Sequence, residues 1–120
     1  MRMEMIQRSF LAVVLVAGLQ PGLVRGQNLD DAEVAHVAVT ANATDADMGE
    51  LALEKSTDDR VRRFAETMIR DHRGVNDQAV ALATRLGVTP ADNDVSRGLQ
   101  ADAQAVRSRL SALSGEAFDR

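Results

Sequence analysis

The sequence predicts an all-α protein: an antiparallel bundle of three helices plus the start of a fourth, behind an N-terminal signal peptide. Three observations predict it. Apolar residues recur every seven positions along three segments, which keeps them on one side of a helix. Start and stop signals of the right chemistry bound each segment. No useful length alternates apolar and polar residues with the period of two that a half-buried strand requires.

Composition agrees. Of 120 residues, 45% are hydrophobic and 27% charged, the balance of a globular chain of one domain. Aromatics are only 2%, without Trp or Tyr, so a core must be built from Ala, Val, Leu and Met. Such small side chains suit closely packed helices.

Residues 1–26 read as a signal peptide. Arg2 and Arg8 form a basic start, diluted by Glu4, and Phe10 to Leu19 form an apolar run. That run is too short to cross a bilayer, which takes about 20 residues. Pro21 and Gly22 break it, and Val24-Arg25-Gly26 places small residues where a signal peptidase needs them, so cleavage is expected before Gln27. The expected location is the periplasm or outer envelope, with residues 27–120 as the helical-bundle domain and no transmembrane helix in the mature chain. The sequence has no Cys, which excludes a lipid-anchoring cysteine, disulfides and thiolate metal sites. The three arginines and one glutamate lost with residues 1–26 take the net charge from −4 to −6. A chain this acidic has no footprint for nucleic acid. No small-molecule substrate is identifiable.

The first helix starts at Asp30, an N-cap with Glu33 as capping-box partner, and runs to about Lys55. Asn42, Thr44 and Gly49 weaken it, and a break near 42–44 fits its propensities. The second is capped by Ser56 or Thr57, carries Asp58 and Asp59 in its first turn, and stops at Gly87. Its seams are Val61, Met68, Val75 and Leu82, and Ala65, His72, Ala79 and Leu86. The short turn between them makes these two helices antiparallel neighbours. The third opens near Asn93–Asp94 and ends at about Leu113, with Leu99, Val106 and Leu110 on its seams. Ser114 then looks like another N-cap, followed by Glu116, Ala117 and Phe118 and the end of the chain. One turn cannot stand alone, because helix nucleation is costly. The domain is therefore expected to be incomplete at its C-terminus. Val61, Met68, Leu82, Leu99, Val106 and Leu110 should be only partly covered, Phe118 stranded, and the chain a two-fold homodimer.

The Gly-Glu-Leu-Ala turn at 49–52, the block Phe-Ala-Glu-Thr-Met-Ile-Arg-Asp-His at 64–72 with Asn76 beyond it, and the closing Gly-Glu-Ala-Phe-Asp at 115–119 carry a resemblance. Over essentially the whole mature chain the sequence resembles a widespread bacterial family of unknown function (domain of unknown function 4142), often labelled "predicted outer membrane protein". The resemblance implies export and a ferritin-like helical bundle. It also implies a longer domain, of which this chain is the first half to two-thirds.

His72 is the most informative residue. A His on an apolar seam must find a hydrogen-bond partner there. Asp45 falls on the facing stripe of the first helix, about 6 Å away along the axis, with Asp47 and Asp71 as alternates. The bland reading is a satisfied structural His that fixes register. The sharper one is a site for a divalent metal ion of ferritin-like type, for which a His–carboxylate pair is too few ligands. Glu33 and His36 have the Glu-x-x-His spacing of di-metal bundles, but His36 reads as solvent-facing and Glu33 as a cap. Arg60, Arg62, Arg63, Arg70 and Arg73 read as a solvated face, paired at i,i+4 as Asp58–Arg62, Asp59–Arg63 and Glu66–Arg70. Met48 and Met68 read as core fillers rather than copper ligands. Gly49 and Gly74 read as points of close helix approach. The expected function is an exported envelope factor, binding or stress-linked, without catalysis. The alternatives are a metal-binding protein completed by missing helices or a partner copy, and a non-functional truncated copy.

Overall fold

The computed structural model describes residues 28–120, all-helical with no strand among them. The signal peptide expected over 1–26 lies outside the described residues. Helix α1 spans Asp31–Lys55, α2 Asp59–Leu86, α3 Asp94–Ser111, and a final turn, α4, Glu116–Asp119.

The ends of α1 and α2 follow from side chains at fixed offsets. The Asp30 carboxylate accepts from the Glu33 amide at 2.8 Å, and the Glu33 carboxylate accepts from the Asp30 amide at 3.0 Å, so the expected capping box is formed. α1 is unbroken through 42–44. Asn42 is accommodated because its side-chain amide nitrogen donates to the Ala38 carbonyl at 3.0 Å. α2 is capped by Asp58, not by Ser56 or Thr57: the Asp58 carboxylate accepts from the Arg60 amide at 2.7 Å. Ser56 is instead buried at the end of α1, with its hydroxyl accepting from the Asp58 amide at 3.2 Å. Arg62 bridges the two helices, donating to the carbonyls of Leu53 and Ser56. Gly87 closes α2 in the left-handed region, φ 66°, which a side chain would oppose.

α1 is the central helix. It packs along α2 and, less extensively, along α3, whereas α2 and α3 share no comparable interface. Asn42, Asp45 and Gly49 of α1 meet α2. His36 meets Asp92 in the loop ahead of α3, and Asp47 meets Arg107 within α3. The two sets lie about half a turn apart on the helix, so α2 and α3 flank α1 on opposite sides. Gly49 permits the close approach of α1 and α2, since a Cβ there would stand 2.8 Å from Ile69 Cγ1 and 3.0 Å from the Ala65 carbonyl oxygen. Gly74 has no such neighbour, and its expected role in helix approach is not met.

This flat arrangement buries little. Ala46, Leu51, Ala65 and Ala83 are the buried apolar residues. Val61, Met68, Leu99, Val106 and Leu110 are half-buried, and Leu82 is 46% exposed, so the expected incomplete covering is what the structure contains. Phe64 and Leu86 are more exposed still, at 65% and 67%. Phe118 is not stranded but half-buried, because α4 is tied to the α1–α2 turn. The Gly115 amide donates to the Lys55 carbonyl at 2.8 Å, and the Asp119 carboxylate accepts from the amides of Thr57 and Asp58. The cap of this turn is Gly115 rather than Ser114.

Candidate functional site

Near the middle of the α1–α2 seam stands His72. Its Nδ1 is 2.9 Å from Asn42 Oδ1 and 3.6 Å from Asp45 Oδ2. The Asn42 amide nitrogen is engaged with Ala38, so its oxygen is the atom turned to the imidazole, and the imidazole must donate. A neutral His72 therefore carries its proton on Nδ1 and its lone pair on Nε2, which has no hydrogen-bond partner among the described residues. Asp45 stands just beyond hydrogen-bond reach of the ring. One turn further on, Asn76 Oδ1 is buried with no partner. The His72 side chain is 28% exposed, so the ring reaches the surface.

The structure thus brings His72 and Asp45 together and leaves the two alternates elsewhere. Asp47 lines a groove of about 210 Å³ between α1 and α3, with Thr44, Gln100 and Arg107. Asp71 accepts from Arg70 at 2.9 Å on the outer face of α2. Sequence reasoning found Asn42 only as a weak point in a helix and missed it as the partner of His72. An Asn at a mid-helix position facing a His one helix away was the available signal. Among the described residues no three or more His, Cys, Asp or Glu side chains gather where they could hold a metal ion. The seam offers one imidazole nitrogen and one carboxylate, too few for a complete site.

His36 is not solvent-facing as its wheel position suggested. It is partly buried between α1 and the start of α3, 3.9 Å from Asp92 and 3.5 Å from the Thr40 hydroxyl. Around it lies a polar cluster that sequence reasoning did not anticipate. Ser96 is fully buried, and its hydroxyl donates to Asp92 at 2.9 Å. Asn93 caps α3 through the Ser96 amide and donates to the Glu33 carbonyl of α1 at 3.1 Å. The Arg97 guanidinium holds the Asp92 carboxyl below its ordinary range, helped by the Ser96 hydroxyl. This cluster is an interhelix clasp. His36 and Ser96 share Asp92 rather than each other, an order that activates no nucleophile.

Arg60, Arg63, Arg70 and Arg73 are exposed as expected, whereas Arg62 is half-buried in its bridge to α1, and the pairing differs. Arg60 pairs with Asp58, Arg70 with Asp71 and Arg73 with Glu50 of α1, in place of the i,i+4 pairs.

The α1–α2 seam is also apolar over much of its length. On either side of His72 the α1–α2 seam opens into a groove. One, of about 350 Å³, is lined by Val34, Ala38, Leu82, Leu86 and neighbours. The other, of about 140 Å³, is lined by Met48, Ala52, Val61, Phe64, Met68 and neighbours, with Asp45 at its inner end. Met48 and Met68 are lining residues here, half-buried rather than core. No described helix is long and apolar enough to cross a membrane.

No curated protein and no solved structure matches the chain. A family model does, over residues 21–120, described as a domain of unknown function, DUF4142. That span takes in the four described helices, the His72 seam and the apolar grooves, and the chain belongs to this family.

Proposed function

We propose that the chain is exported to the cell envelope and works there by binding, through the apolar face of α1 and α2, rather than by catalysis. The observation that carries the binding reading is that face. Phe64, Val75, Leu82 and Leu86 are each at least 46% exposed on one helix. Contiguous apolar surface of this kind marks interaction sites. Export rests on the basic start, the short apolar run to Leu19 and the small residues before Gln27. Fractionation of expressing bacteria, with N-terminal sequencing of the recovered chain, tests it. The expected result is periplasmic or outer-envelope protein beginning at or near Gln27. Full-length protein confined to the cytoplasm would end the export reading.

A second reading is favoured by one observation. His72 donates through Nδ1 to Asn42 and keeps a free Nε2 lone pair. Metal-bound imidazoles are held in this way, by a partner on the nitrogen that does not bind the metal. On this reading the seam contributes His72 and Asp45 to a divalent-cation site, and further ligands come from outside this set of helices.

A further inference from the structure

We propose that a second copy of this chain covers the apolar face, and that the pairing brings two His72 side chains together into a divalent-cation site that neither copy holds alone. This deepens both readings above and rests on them.

The dimensions suit a second copy. α1 and α2, of 25 and 28 residues, present a face about 40 Å long and two helices, about 20 Å, wide. That is about 800 Å², the area each partner contributes to a standard stable interface.

The pattern along the face is symmetric. His72 stands at the midpoint of α2, Asn42 and Asp45 near the midpoint of α1, and an apolar groove lies on each side. Two identical faces pack through a two-fold axis lying in the plane between them. The axis can run along the helices or across them. In both cases apolar groove meets apolar groove, and a residue at the middle of the seam meets its own copy. With the axis across the helices, a polar group away from the midpoint would be driven against apolar surface. At the midpoint it meets a second imidazole and a second carboxylate.

The chemistry of the pair follows. Each His72 presents an Nε2 lone pair whose tautomer is set by Asn42. Two imidazoles from facing helices, with two Asp45 carboxylates beside them, form a nitrogen and oxygen donor set suited to zinc or a similar borderline divalent ion. The carboxylates offset the charge of the ion.

The test uses the chain recovered from expressing bacteria, at micromolar concentration, with zinc as the probe. Sedimentation should show a dimer, and a titration one zinc ion per two chains. His72→Ala should remain dimeric and lose zinc retention. Asn42→Ala should weaken zinc about 10- to 100-fold, as loss of an imidazole's supporting partner does. Leu82→Glu lies ten positions from His72, and Phe64→Lys alters a side chain that is 65% exposed. Both should keep their helicity, become monomeric and also lose zinc retention, although His72 is intact. A monomeric wild type, a dimer that takes up no zinc, or zinc bound one per chain in Leu82→Glu would each overturn the proposal. A monomer whose face still binds a hydrophobic dye would overturn it and leave the binding reading standing. A monomer that binds no dye would remove both.

Discussion

Gly49 and Gly74 are both glycines within long helices, and the structure separates them by what a methyl group would meet. At Gly49 it would press on Ile69 and on a backbone oxygen that cannot turn aside. A larger side chain must push α1 and α2 apart, at a cost of about 1–3 kcal/mol. At Gly74 the space is open, and Ala should add up to about 1 kcal/mol through helix propensity. Denaturant unfolding of Gly49→Val and Gly74→Ala should therefore move in opposite directions, and a loss in both would show that Gly74 is packed. Asp58 offers a second test at this scale. Its carboxyl is held well below the ordinary value of 3.8, chiefly by the hydrogen bond from the Arg60 side chain and then by the Arg60 amide. A carboxylate with a depressed pKa in the folded state stabilises above its unfolded value, and that contribution is lost as pH falls. Thermal stability should hold from neutral pH to about pH 4 and decline below it. Asp58→Asn keeps a cap but removes the titration, so its melting temperature should fall less steeply over the acid limb. An unchanged acid limb would assign the sensitivity to Asp92, whose carboxyl is lowered in the same direction.

The turn between α1 and α2 is an element built from distant parts of the chain. Helix α2 begins with amides that need acceptors, and Asp58 supplies one from its own residue. The amides just ahead of it, Thr57 and Asp58, are met by the Asp119 carboxylate from α4. That bond explains why a four-residue turn, too short to persist by itself, is ordered here: it is held by contacts across 61 and 62 positions rather than by its own ladder. Asp119→Ala should lower stability by about 1 kcal/mol, the worth of a lost cap, and should release α4 first. Loss of the Phe118 environment in NMR spectra, with α1 and α2 unchanged, is the expected signature. Elements were legible from the sequence where one side chain decides them. The Asp30–Glu33 box, the Gly87 stop and the Asn93 start each depend on residues within three positions of one another. The cap of α2 was placed one or two residues early, because Ser56, Thr57, Asp58 and Asp59 are all competent caps. Only the burial of Ser56 and the bond from Asp119 separate them, and both come from tertiary structure. His72 and Asp45 were legible as neighbours from helix register alone. Asn42 was not, since propensity marks it as a weak helix former and only the facing helix gives its oxygen a partner.

At the scale of the whole molecule, α1 lies between two flanking helices that share no interface comparable to those each makes with α1. Stability should then be unequal. The α1–α2 pair has the Gly49 approach, the Arg62 bridge and the buried Ala46, Ala65 and Ala83. α3 is held to α1 over a shorter contact, and its firmest attachment is polar. The Asn93 side-chain amide donates to the Glu33 carbonyl, the Ala91 backbone amide donates to the Ala32 carbonyl at 2.9 Å, and buried Ser96 ties the cap together. Beyond that clasp the α1–α3 groove is lined by Thr44, Asp47, Gln100, Gln104 and Arg107, with Met48 and Ala103 as its apolar members. A unit whose strongest hydrogen bonds lie at one end, and whose apolar residues Leu99, Val106 and Leu110 are only half-buried, should open below the global unfolding free energy. Asn93→Ala removes the cap and the bond to α1 together and leaves a buried acceptor and donor unmet, a loss of about 2 kcal/mol. Amide hydrogen exchange should show it. Protection over Asp94–Ser111 should fall by about tenfold or more, as that loss implies, while protection in the middle of α2, around Ala65 and Ile69, stays within a factor of two or three. Equal losses in α2 and α3 would mean that the three helices unfold as one unit and that the flat arrangement is more cooperative than its contacts imply.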